Sequence, residues 1–144
     1  MAEAKENAAG LRARPIAARP LSPHLSIFRP YVNMVMSIVH RITGAANYAG
    51  SLLLAVWLLS AAMGDEEFNA VSAFLATPVG LILLFGFTWS LIHHMLGGLR
   101  HFIWDFGRGF ELPTVRMLSW ATLIGSLTLT GLIWWVGLSQ WGKL

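Results

Sequence analysis

Ile92-His93-His94-Met95-Leu96-Gly97-Gly98-Leu99-Arg100-His101 sets adjacent histidines into a segment, Phe68 to Leu99, that carries no Asp, Glu, Lys or Arg. About 20 apolar residues suffice to cross a bilayer as a helix, and this segment is longer. An ionisable group at that depth is costly and is therefore a functional candidate. Imidazole is a good ligand of iron. Gly97 and Gly98 lie three and four residues beyond His94 and share its helix face. That face can admit a flat, bulky ring.

Composition extends the membrane reading to the whole chain. Of 144 residues, 56% are hydrophobic and 12% charged. A soluble domain carries roughly a quarter charged residues. Ile42 to Gly64 and Met117 to Gly142 are also free of formal charge, so three segments can span a bilayer. The absence of cysteine excludes disulfides, iron–sulfur ligation and thiol chemistry in this chain. The net charge of +3 does not point to nucleic acid, because the basic residues flank membrane segments.

Their placement predicts the orientation. Lys5, Arg12, Arg14, Arg19, Arg29 and Arg41 precede or open the first span. Asp65, Glu66 and Glu67 follow it. Arg100, Arg108 and Arg116 surround the second connection. The positive-inside rule then puts the N-terminus and second loop in the cytoplasm. The expected fold is all-α, an integral membrane protein with three transmembrane helices running up-down-up. The helices are expected over about 33–63, 78–104 and 115–141. Residues 1–20 read as a flexible cytoplasmic tail, and 21–144 as the three-helix domain. Glu3 and Glu6 argue against a mitochondrial transit peptide, which is poor in acid. The expected location is a bacterial inner membrane. A segment from Pro20 to Pro30 reads as running along the membrane surface, and Phe68 to Ala76 as a short interfacial helix. Thr77 is a candidate N-cap with Pro78 in the first turn. Ala45, Ala46, Ala49 and Gly50 supply small residues for close helix packing.

A second constellation is Ser37-Ile38-Val39-His40-Arg41-Ile42-Thr43-Gly44. Ser37, His40 and Arg41 share one face of the first span by their three- and four-residue spacings. His94 and His101, seven apart, share a face of the second. The expected topology puts both faces at similar depth, where they can converge. Arg41 can pair with an anionic group, and Ser37 can donate to a carbonyl oxygen. Simpler roles stand beside these. Arg41 can snorkel to the interface, Ser37 can bond back to its own helix, and His40 can be an interfacial residue. His101 and Asp105 can form a local pair, and His93 can reach a neighbouring helix.

These residues also carry a resemblance. Arg19-Pro20-Leu21-Ser22-Pro23-His24-Leu25, Ser37-x-x-His40-Arg41-x-Thr43-Gly44 and His94-x-x-x-Gly98-Leu99-Arg100-His101-x-x-Trp104-Asp105-x-Gly107 closely resemble the cytochrome b556 subunit family of succinate dehydrogenase, a membrane anchor of respiratory complex II. The resemblance covers about Arg19 to Trp141. It implies that His94 is an axial ligand of haem b and that a second small membrane anchor subunit supplies the other ligand. It implies that Ser37 and Arg41 line a ubiquinone site, with His40 and Arg41 near the haem propionates. His101 and Asp105 fall near the quinone end of the second helix. An iron–sulfur subunit and a flavoprotein subunit are implied as further partners, with membrane lipid around the helices. The chain is then a non-flavin subunit of an enzyme, with no catalytic residue and no activity alone.

Two other classes of function compete. One is a haem-free structural anchor of a fumarate reductase-type complex. The other is a transporter or proton-conducting subunit relaying through His94, His101 and Asp105. The relay is disfavoured because the third span holds no ionisable group between Arg116 and Lys143.

Overall fold

The computed structural model describes residues 21–141. The expected tail over 1–20 lies outside the described residues. A short helix, α1 (His24–Ile27), belongs to a separate unit that ends at Pro30. The remainder contains α2 (Val32–Met63), α3 (Asp65–Leu75), α4 (Pro78–Asp105) and α5 (Leu112–Trp141). All described elements are helical, and α2, α4 and α5 are long and apolar enough to cross a membrane.

Local chemistry sets the ends. Gly64 takes φ +144° between α2 and α3, a conformation that costs glycine little. Asp65, Glu66 and Glu67 fill the first turn of α3, where the helix dipole favours negative charge. That helix begins three residues before the expected Phe68. The Thr77 side chain accepts a hydrogen bond from the Gly80 N–H at 3.2 Å, with Pro78 opening α4. Past Asp105 the chain turns through Gly107 and Gly109, both at positive φ. The Trp104 indole N–H holds the turn by donating to the Gly109 carbonyl at 3.2 Å. Helix α5 starts at Leu112, one turn earlier than expected. Pro113 is tolerated there because a first-turn N–H has no intrahelical acceptor to lose.

Helix α4 lies against both α2 and α5, and α5 also meets α2. Paired positions run in opposite directions along the helices. Gly50 meets Phe87, while Thr43 meets His94. Phe85 meets Trp134, His93 meets Ser126 and Arg100 meets Ser119. Both neighbours of α4 are therefore antiparallel to it, the expected up-down-up order.

The interior reverses the pattern of a soluble protein. Met36 and Ile92 are the buried hydrophobics among the described residues. The other buried side chains include Thr43, Ser60, Ser90, His93, Arg100, Ser119, Thr122, Ser126 and Thr130. Large apolar side chains such as Leu52, Ile82, Leu127 and Ile133 point outward. In lipid the helices gain nothing by hiding leucine from one another, so small and hydrogen-bonding residues take the contacts. The Ser90 hydroxyl lies 2.9 Å from the Thr43 carbonyl and 2.7 Å from the Asn47 side-chain oxygen, joining α4 to α2.

Gly50 is packed tightly against α4, since a Cβ there would overlap the edge of the Phe87 ring. Gly50→Leu should overpack this crossing and cost about 1–3 kcal/mol, read as a lower melting temperature in detergent. An unchanged melting temperature would contradict the packing described.

Candidate functional site

The α2/α4 crossing gathers three histidines. The His40 and His94 rings stack face to face, with centroids 4.0 Å apart and planes 7° from parallel. His101 lies 5.3 Å from His40 and meets Trp104 edge-on at 5.1 Å. The expected shared face of His94 and His101 is therefore real, and His40 is what both of them meet. Two glycines make the stack possible. A Cβ on Gly97 would collide with the His40 ring, and one on Gly44 would come within 3.0 Å of His94 Cε1. The flat ring expected against Gly97 is thus an imidazole of this chain. Gly98 faces open space.

The tautomer of His94 follows from its partner. Its Nδ1 lies 3.0 Å from the His40 carbonyl oxygen and 3.4 Å from the Thr43 hydroxyl. A carbonyl can only accept, so Nδ1 carries the proton. Nε2 then keeps its lone pair. Metal-binding histidines are commonly oriented in this way, with one ring N–H given to a backbone carbonyl and the other nitrogen left for the metal. Among the described residues, no three His, Cys, Asp or Glu side chains converge as a self-contained metal centre. The donor set here suits a group held by a single imidazole from this chain. A groove of about 540 Å³ runs along the same two helices, lined by Thr43, Ala46, Gly50, Gly86, Trp89 and Ser90 among others.

Ser37 and Arg41 are exposed on α2, one turn apart and flanking His40 in sequence. They lie outside the imidazole stack, on a surface open to a ligand or another chain. Asp105 is exposed at the last residue of α4.

His93 faces elsewhere. It is wholly buried against α5, with Nδ1 3.0 Å from the Ser126 hydroxyl. This fulfils its expected reach to a neighbouring helix. In the sequence Arg100 marks topology and a motif position. It is in fact 4% exposed, donates to the Ser119 hydroxyl at 3.2 Å and lies over the Trp104 ring at 5.2 Å. The sequence holds a matching spacing, which pairs only once α4 and α5 are laid together. His93 and Arg100 are seven apart on α4, matching the seven between Ser119 and Ser126 on α5.

Ser119→Ala leaves the buried guanidinium without this acceptor. It should lower stability by about 1–3 kcal/mol, seen as a reduced melting temperature in detergent, while Ser139→Ala on the exposed surface of α5 should have little effect. Equal effects of the two would contradict this contact.

Comparison with known proteins agrees with the geometry. Residues 16–133 match the family model described as "Succinate dehydrogenase/Fumarate reductase transmembrane subunit". The chain is 34% identical over 116 residues to the succinate dehydrogenase cytochrome b556 subunit of Rickettsia prowazekii, covering 81% of this chain and 90% of the relative. It is 39% identical over 111 residues to that of Paracoccus denitrificans, covering 77% and 85%. The mitochondrial cytochrome b560 subunit of Sus scrofa is 36% identical over 108 residues, covering 74% and 64%. With three apolar helices built around a paired-imidazole crossing, the chain belongs to the succinate dehydrogenase/fumarate reductase transmembrane-subunit family.

Proposed function

We propose that this chain is the haem b- and ubiquinone-binding anchor of a succinate:ubiquinone oxidoreductase in a bacterial inner membrane, with its N-terminus cytoplasmic. The observation that carries the reading is the bond from His94 Nδ1 to the His40 carbonyl. It leaves Nε2 unprotonated, as an iron ligand requires. A haem bound there supplies a one-electron centre beside the quinone site. His94 would be its ligand from this chain, and the second small membrane subunit would provide the other.

The remaining work falls to side chains. Gly44 and Gly97 bring α2 and α4 close enough for His40 to brace the His94 ring. His40 and Arg41 would receive the haem propionates, with Arg41 giving charge-assisted hydrogen bonds to carboxylate. Ser37 donates to one ubiquinone carbonyl, and the Arg41 guanidinium stabilises negative charge that develops on the quinone oxygen. His101 and Asp105 lie at the same end of α4 and hold protons for the reduced quinone. Succinate oxidation and the relay of electrons belong to the flavoprotein and iron–sulfur subunits. The exposed apolar faces of α2, α4 and α5 serve lipid and the second anchor subunit.

Arg41→Ala in the purified complex should lower succinate:ubiquinone reductase activity about tenfold or more. Loss of a hydrogen bond to a charged group is worth about 1.5–3 kcal/mol, and about 1.4 kcal/mol is tenfold in rate. Succinate oxidation with an artificial acceptor should persist. Equal loss of both activities would count against the quinone assignment.

A further inference from the structure

We propose that Trp89 and His93 form a buried water-binding site on α4, in which one water accepts from the Trp89 indole N–H and donates to His93 Nε2. The site is independent of the haem reading and lies on a different face of the helix from His94. Successive residues on an α-helix are about 100° apart.

The hydroxyls of α5 determine the protons. Ser126 gives its one proton to the Leu123 carbonyl at 2.9 Å. Its oxygen can then only accept in the 3.0 Å contact with His93 Nδ1. His93 therefore carries its proton on Nδ1 and a lone pair on Nε2. His93 is 0% exposed, and Nε2 has no hydrogen-bond partner among the described residues. The Trp89 indole nitrogen is likewise buried without a partner. One is an acceptor and the other a donor. They sit one turn apart on α4 with ring centroids 5.2 Å from each other. One water making two hydrogen bonds of about 2.9 Å would join the two nitrogens.

Water fits better than the other ligands this chemistry could take. Among the described residues, no group of three or more His, Cys, Asp or Glu side chains gathers here to hold a metal. An anion would meet a lone pair. Water matches a donor and an acceptor together, and buried waters characteristically satisfy such pairs. Two polar groups left bare in a membrane interior are costly, and one water removes both penalties. Through the Ser126 bond the hydrated pair also fixes the rotation of α4 against α5. The adjacent His94 is thereby held toward α2.

The test is nitrogen magnetic resonance on the intact complex labelled with 15N-histidine, with His93 assigned by its disappearance in His93→Phe. The expected result is a protonated Nδ1, an unprotonated and hydrogen-bonded Nε2, and magnetisation transfer from water protons to Nε2. Trp89→Phe, which keeps the ring and removes the N–H, should abolish that transfer. A protonated Nε2, a metal-bound Nε2 or no water contact in the wild type would overturn the proposal. Undiminished transfer in a folded Trp89→Phe complex would overturn the role of Trp89. If that variant fails to assemble, the wild-type spectrum decides.

Discussion

The His94 Nδ1–H bond to the His40 carbonyl holds the functional side of this bundle together. It ties a side chain of α4 to the backbone of α2, settles which imidazole nitrogen is free, and requires the two helices to be close. Gly44 and Gly97 permit that closeness, and Gly50 against Phe87 extends it along the crossing. Each of these features depends on the others. A side chain at Gly97 would expel His40 from the stack and unseat the ring that braces His94.

Helix α4 carries two polar faces with different tasks. One meets α2 through Ser90, His94 and His101. The other meets α5 through His93 and Arg100. In water such a helix would sacrifice apolar burial to pack these groups. In lipid the apolar residues are already well solvated, and hydrogen bonds across helices become a main source of specificity. On both faces hydroxyl or carbonyl oxygens of the neighbouring helix accept protons from side chains of α4. They differ in access. His94 is half-buried beside a groove, whereas His93 is sealed. Adjacent histidines thus separate into a candidate ligand and a structural residue because a helix turns each residue away from the last.

Much of this architecture was legible in the sequence. Three charge-free segments gave the spans, and Thr77-Pro78 gave the start of α4. The spacing of His94 and His101 gave their common face. Helix starts were less accurate. The acidic run at Asp65 and the proline at 113 are absorbed into first turns, where helix geometry favours or tolerates them. The partner of Gly97 could not be read, since contact between α2 and α4 depends on their register. Arg100 was hidden for another reason. A basic residue at the end of a span is ordinarily explained by topology, and its burial shows only when the Ser119–Thr122–Ser126–Thr130 face of α5 is laid against α4.

The central claim is that His94 of this chain is an iron ligand. It is tested most directly by a dithionite-reduced minus oxidised visible spectrum of the detergent-purified complex, compared between the wild type, His94→Ala and His93→Phe. The account predicts a low-spin b-type band in the wild type, its loss or displacement in His94→Ala, and its retention in His93→Phe. A wild-type complex without the band, or a band unchanged in His94→Ala, would contradict it.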